Sequence, residues 1–143
     1  MSLTLNSKIQ VGKSPIGGKG LFAKENFKKD EQFRVVNGKA PTVIMTDKEF
    51  REFIKARDSY NAVALGNGTH RVGILSREED PSSYGNHSCE PNIAPNNGKV
   101  IALRDINAGH ELTIDYAPLS SKWWEMKCNC GAKTCRGVVR GTL

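Results

Sequence analysis

A chain of 143 residues with a net charge of +6 and a pI of about 9.3 fits one domain with a modest core. Its 38% hydrophobic and 25% charged content is that of a globular protein and excludes a fibrous or disordered chain. No apolar run is long enough for a transmembrane helix, and Met1–Lys8 lacks the apolar core of a signal peptide. The chain therefore reads as intracellular, in cytoplasm or nucleus, or inside a host cell for a bacterial effector or a virus. The positive charge reads first as a soluble basic surface, and nucleic acid enters as a partner only through that charge.

Short strands dominate, and no repeat or low-complexity tract interrupts them. Ile9–Gly12 and Gln32–Val36 are β-rich runs. Thr46-Asp47-Lys48-Glu49 is a capping box, with Thr46 as N-cap and Glu49 three residues on. Phe50, Phe53 and Ile54 follow at helical spacing, which makes one apolar face directed at the core. Tyr60–Leu65 and His70–Leu75 flank Gly66-Asn67-Gly68 and form a hairpin. Glu78-Glu79-Asp80 reads equally as a solvated turn into Pro81 or as an acidic patch for a basic substrate. Lys99–Arg104 follows another turn, Asn96-Asn97-Gly98. Leu112, Ile114 and Tyr116 alternate with Thr113 and Asp115, the period of a strand. A short helical stretch is expected over Ser120–Met126. The fold class is mainly β with one helix.

The four cysteines are the most specific feature. Cys128, Cys130 and Cys135 stand at C-x-C-x4-C spacing, and a Cys-Gly turn lets such thiolates converge on one ion. A closed zinc site takes four ligands, so Cys89 is expected to complete it. That contact pins the C-terminal segment over the Asn86–Asn92 loop. Two disulfides or four free thiols are the alternatives. Without a secretion signal, the clustered spacing favours metal.

Four motifs then occur in a fixed order across residues 17–137. They are Gly18-Lys19-Gly20-Leu21-Phe22-Ala23, Asn86-His87-Ser88-Cys89-Glu90-Pro91-Asn92, Gly109-His110-Glu111-Leu112-Thr113-Ile114-Asp115-Tyr116, and the final C-x-C-G-x3-C-R-G. Together they resemble the SET-domain protein-lysine N-methyltransferases with a post-SET zinc segment, in a small stand-alone form without a pre-SET region. The resemblance implies several small sheets around a knot-like C-terminal threading. It also implies a SET domain over 1–118, an insert at about 41–75 and a post-SET segment over 119–143. The implied reaction is methyl transfer from S-adenosyl-L-methionine to a lysine ε-amine in a histone, a histone-like protein or another basic protein.

The resemblance assigns residues as well. Tyr116 is the catalytic tyrosine. With a phenol pKa near 10 it is a poor base, so its role is positioning. Gly18, Lys19, Gly20, Asn86 and His87 bind the cofactor, His87 through its backbone. Cys89, Cys128, Cys130 and Cys135 hold one structural zinc ion. Tyr60, Tyr84, Ile114 and Trp123 line the substrate channel, with Trp124 an alternative to Trp123. Three departures from the family pattern stand out. Ile114 occupies a position usually held by Phe or Tyr, which implies room for higher methylation states. The Glu-Tyr-x-Gly-Glu stretch is replaced by Val36-Asn37-Gly38-Lys39-Ala40, so Tyr60 or Tyr84 is the substitute for the second channel tyrosine. Ser82-Ser83-Tyr84-Gly85 stands where Arg-Phe-x commonly precedes Asn-His-Ser, and His110 replaces a Glu at the surface.

Two other classes compete. One is a non-catalytic SET-fold module that binds lysine peptides, which the missing second tyrosine favours and the intact Tyr116 opposes. The other is a zinc-stabilised nucleic-acid binder, which lacks the aromatic–basic strands of common RNA modules. No motif fixes the oligomeric state, and a homodimer is compatible with the sequence.

Overall fold

The computed structural model describes residues 2–143, which form fourteen short strands, one α-helix and two 3-10 turns. The central sheet places Ile9–Lys13, Lys19–Ala23, Glu111–Ile114 and Asn86–His87 side by side. Ile9–Lys13 and Lys19–Ala23 pair antiparallel, with Gly12 opposite Gly20. The strand Glu111–Ile114 joins them, with Leu112 opposite Leu21. On its other side it runs parallel to Asn86–His87, with Thr113 opposite Asn86 and Ile114 opposite His87.

That parallel contact is only two residues long, and the Asn92 side chain extends it. Asn92 Oδ1 accepts the Thr113 N–H at 2.9 Å, and its Nδ2 donates to the Glu111 carbonyl at 2.8 Å. Asn92 is buried, so an amide that donates and accepts meets two backbone groups that would otherwise lack partners.

A second sheet holds Ile93–Asn96, Lys99–Ala102 and Gln32–Phe33. Its hairpin turns at Asn97 and Gly98, both at positive φ (48° and 80°), as a two-residue turn between right-twisted strands requires. One core lies between these two sheets, built on Ile9, Leu21, Ala23, Phe27, Phe33, Ile93, Ile106 and Leu112. The Phe27 and Phe33 rings stack at its centre, 4.1 Å apart.

The insert forms its own layer. Thr42–Thr46, Thr69–Gly73 and Ala62–Ala64 make a three-stranded antiparallel sheet, with the helix Asp47–Lys55 directly after the first strand. The predicted capping box is present in both halves: the Glu49 N–H donates to Thr46 Oγ1 and the Thr46 N–H to Glu49 Oε1. Phe50 is the helix's buried anchor, and Phe53 and Ile54 are half-buried beside it. The strand Thr42–Thr46 went unpredicted because its burial does not alternate; it is exposed along most of its length.

Two expected elements differ. Gln32–Val36 is not one strand. Gln32–Phe33 pairs with Val100 and Ile101, whereas Val36–Asn37 turns away to pair with Thr4–Leu5. The residues reach two different partners, so the run breaks at Arg34–Val35. Ser120–Met126 is not helical. A 3-10 turn covers Ala117–Leu119, and Glu125–Lys127 is a strand paired with Val138–Arg140. Gly141 explains the constraint: a Cβ there would lie 2.0 Å from the Ser121 carbonyl oxygen, so the returning C-terminus packs directly on this stretch. Among the described residues no helix is long and apolar enough to cross a membrane.

Candidate active site and metal centre

Tyr116 follows the strand Glu111–Ile114 and caps the 3-10 turn Ala117–Leu119. Its hydroxyl donates to the Gly85 carbonyl at 2.5 Å, and its backbone N–H donates to His87 Nδ1 at 3.0 Å. Tyr116 is thus tied through its phenol to Gly85, just before the strand Asn86–His87, and through its backbone to His87 within it. Burial pushes the Tyr116 pKa up to about 12; nearby Arg77 works against the shift, and Tyr60 and Glu111 add to it. Such a phenol stays neutral at every physiological pH. It can orient a ligand but cannot serve as a base.

A cavity of about 780 Å³ opens beside it, between the insert and the C-terminal segment. Tyr60, Ile114, Tyr116, Trp123 and Trp124 are among its lining residues. Tyr60, Ile114 and Trp123 thus line one cavity beside Tyr116. Tyr84 is placed elsewhere. Its ring packs on the core, with Arg77 over one side at 4.5 Å and the Lys19 ammonium at 5.8 Å.

The tryptophans close the cavity by bonding to the insert. Trp124 Nε1 donates to the Tyr60 hydroxyl at 2.9 Å, and the Trp124 ring meets Tyr116 edge-on at 6.3 Å. Trp123 Nε1 donates to Asp47 Oδ1, and the Arg51 guanidinium lies 4.2 Å over its ring. His70 stacks on Phe50 at 4.1 Å and contacts Ser121 Oγ at 3.0 Å. Its Nδ1 is buried without a partner, and burial lowers its pKa, with Asp47 opposing.

Gly20, Asn86 and Glu111 converge at the start of the strand Glu111–Ile114 that leads to Tyr116. Glu111 accepts from Ser14 Oγ at 2.8 and 2.9 Å and from Asn86 Nδ2 at 2.8 Å. Asn86 Nδ2 also donates to the Lys19 carbonyl at 3.0 Å. A Cβ at Gly20 would sit 2.2 Å from Glu111 Oε2 and 2.9 Å from Asn86 Nδ2, so only glycine permits this cluster. Gly18 takes φ +55° with open space around it. Sequence reasoning missed Ser14 and Glu111. Glu111 was visible as the third residue of Gly109-His110-Glu111-Leu112, but nothing local foretold that it would reach Asn86.

The arrangement suits a cationic ligand with an amino-acid end. Glu111 has no cation within salt-bridge distance among the described residues, and Asn86 Oδ1 has no donor there. A fixed carboxylate and an open amide oxygen favour an ammonium or sulfonium. The residues therefore fit the methyl donor that the resemblance implies.

The four cysteines come together as expected. Their sulfurs all lie within 4.8 Å of one another, and all four thiols are free. Cys89 and Cys128 Sγ are 3.8 Å apart, and a zinc tetrahedron with bonds of about 2.3 Å requires sulfur separations of about 3.8 Å. The donor set and spacing fit zinc. The Thr134 hydroxyl donates to Glu90 Oε1 at 2.9 Å, a further tie of the tail to the Asn86–Asn92 loop.

The acidic Glu78-Glu79-Asp80 stretch turns out to be local scaffolding. Glu79 accepts from the Ser76 N–H, and buried Asp80 accepts from Ser82 and Asn61. Of the three, only Glu78 remains an exposed carboxylate without such a role.

The fold and both centres can now be set beside known proteins. Residues 18–117 match the SET domain, so the chain belongs to the SET-domain family. Its relatives include the histone-lysine N-methyltransferase TRX1 of Oryza sativa subsp. japonica, 33% identical over 97% of this chain and 14% of that protein. Histone-lysine N-methyltransferase 2B of Homo sapiens is 32% identical over 93% of this chain and 5% of that protein. The chain thus spans a small part of the length of these relatives. Among solved structures, an apo ctPRC2 with mutations in Ezh2 aligns at a TM-score of 0.56 and 28% identity, over 79% of this chain and 15% of that one.

Proposed function

We propose that this chain is an S-adenosyl-L-methionine-dependent protein-lysine N-methyltransferase whose substrate is a lysine of a histone or another basic protein. The single observation that carries this reading is the placement of Tyr116, an aromatic cavity and a polar cluster around one strand. Tyr116 lies two residues beyond the strand Glu111–Ile114, beside an aromatic cavity, and Glu111 begins that strand in the polar cluster with Asn86 and Gly20. A cationic methyl donor fits the polar side, and a lysine side chain fits the aromatic side.

The chemistry follows from these surroundings. When bound, S-adenosyl-L-methionine supplies an electrophilic sulfonium methyl. The amine must arrive neutral and in line, and an apolar cavity favours the neutral amine by withholding solvation from the ammonium. The Tyr116 proton is given to Gly85, so its oxygen is left as an acceptor for an amine N–H. Tyr60 complements it. Its oxygen accepts from Trp124, which leaves the Tyr60 proton free to donate into the cavity. Tyr60 therefore takes the role of second channel tyrosine. Gly18, Lys19, Gly20, Asn86 and the His87 backbone hold the donor in this reading. Cys89, Cys128, Cys130 and Cys135 hold one zinc ion that fixes the post-SET segment, 119–143, against a SET domain spanning 1–118.

Ile114 lines the cavity without a hydrogen-bonding group, which leaves space for a methylated amine. Products beyond monomethyl-lysine are expected by mass spectrometry, and a profile that stops at one methyl contradicts the Ile114 argument. The primary test is transfer of labelled methyl to histones and to proteins of a whole-cell extract. Tyr116→Phe is expected to lower it by roughly 100-fold, the scale of a lost oriented dipole. Absence of transfer from zinc-loaded protein that binds the donor would favour the lysine-peptide binding module instead.

A further inference from the structure

The metal centre and Tyr116 are joined through two side chains that the catalytic reading leaves unused. Cys89 is the ligand at the junction. Its sulfur faces the Arg136 backbone N–H at 3.4 Å, the Arg136 Nε at 3.3 Å and the His87 Nε2 at 3.4 Å. Four thiolates on a divalent ion leave a net negative centre, so donors aimed at one sulfur offset that charge.

Each of these donors has a second end. The other edge of the Arg136 guanidinium pairs with Asp115 at 3.0 Å. Asp115 Oδ1 in turn accepts the Ala117 N–H at 3.0 Å. The His87 ring accepts the Tyr116 N–H on Nδ1, so the neutral ring carries its proton on Nε2, the atom facing Cys89. The His87 side chain is 1% exposed, so its tautomer is fixed by these two neighbours. The backbone on both sides of Tyr116 is thereby held by groups whose far ends rest on one sulfur.

We propose that Arg136 and His87 are positioning residues that transmit the state of the metal centre to Tyr116. The inference rests on the methyltransferase reading for its kinetic consequence but not for its geometry. An ion at the four cysteines fixes Cys89; Cys89 fixes the Arg136 fork and the His87 ring; these set the backbone from which the Tyr116 phenol projects. Arg136 suits dissection because its side chain is 37% exposed, so its replacement leaves no buried cavity.

Arg136→Met keeps the aliphatic stem and removes both charged contacts. In zinc-loaded protein, kcat for methyl transfer is expected to fall roughly tenfold with KM for donor and peptide within about twofold, and zinc release to a chromogenic chelator to quicken. Arg136→Lys, which retains a cation, is expected to recover part of both. Faster zinc release with an unchanged kcat overturns the proposal, because Arg136 then serves the metal alone. So does an unchanged kcat with unchanged zinc release. A second readout needs no turnover: the Tyr116 amide resonance of 15N-labelled, zinc-loaded protein. It is expected to move in Arg136→Met and to return towards its original position in Arg136→Lys, and an unmoved resonance overturns the linkage. A wild-type protein that transfers no methyl while this resonance responds defeats the enzyme reading and leaves the linkage standing.

Discussion

The two walls of the cavity are held by different physics. The Tyr116 wall is built on the central sheet, whose strand Glu111–Ile114 leads into it. Its strand is laddered on both sides, its neighbour Leu112 is 1% exposed, and buried Asn92 completes its backbone pairing. The Tyr60 wall belongs to the insert, whose outer strand exposes Val43 and Ile44 and which meets the tail through side-chain contacts of Trp123, Trp124 and His70. The first wall is fixed by backbone geometry and a shared core. The second is docked, and a docked wall can be loosened without unfolding the first.

The largest break in this comparison comes from the Tyr116 side. Removing one ligand with Cys128→Ser, or stripping zinc with a chelator, is expected to lower methyl transfer by roughly 100-fold or more, because the tail then loses its metal bridge to Cys89. Metal content and turnover measured on the same sample check this. An apoprotein of full activity contradicts it.

The insert wall is expected to fail more gently. Trp123→Phe keeps a ring under Arg51 but deletes the N–H that reaches Asp47. One such bond is worth about 1 kcal/mol, so peptide KM should rise roughly fivefold while donor affinity stays unchanged. Titration calorimetry with donor, beside peptide kinetics, separates the two. Equal loss in both would mean that the walls are not independent.

The smallest effect sharpens the boundary through pH. Burial lowers the His70 pKa in the folded state, so the unfolded chain binds this proton more readily. The stability that a neutral His70 contributes is present above its unfolded pKa of about 6.5 and is lost as pH falls through and below that value. His70→Phe retains stacking on Phe50 and removes the titration. The thermal midpoint of the wild type should decline between about pH 7 and pH 5.5, and that of the variant should decline less. Parallel curves would show that His70 is no part of the acid sensitivity.

The same division explains what could be read from the amino acids alone. The capping box at Thr46, the Asn97-Gly98 turn and the cysteine spacing are local, and each appears where its chemistry placed it. The motifs of the central sheet were legible because Gly20, Asn86 and Tyr116 carry unusual backbone or polar demands. The insert's docking was not. Nothing near Asp47 announces that an indole from Trp123, 76 residues away, will bond to it. Ser14 and Glu111 were likewise hidden, since their meeting spans 97 residues. The run Gln32–Val36 misled for a related reason: its propensity is genuine, but its two ends pair with different sheets.

The sulfur cluster has a topological consequence. An ion that joins Cys89 to Cys128 closes a loop of 39 residues. That loop contains the hairpin Ile93–Ala102, the strand Glu111–Ile114 and Tyr116 itself. Such a closure removes conformations from the unfolded chain as a covalent bridge would, on the order of 4 kcal/mol for a loop of this length. Unlike a disulfide, it survives in reducing surroundings and is opened by acid or a competing chelator. Metal supply, not redox state, would then govern how long a chain that has opened remains open.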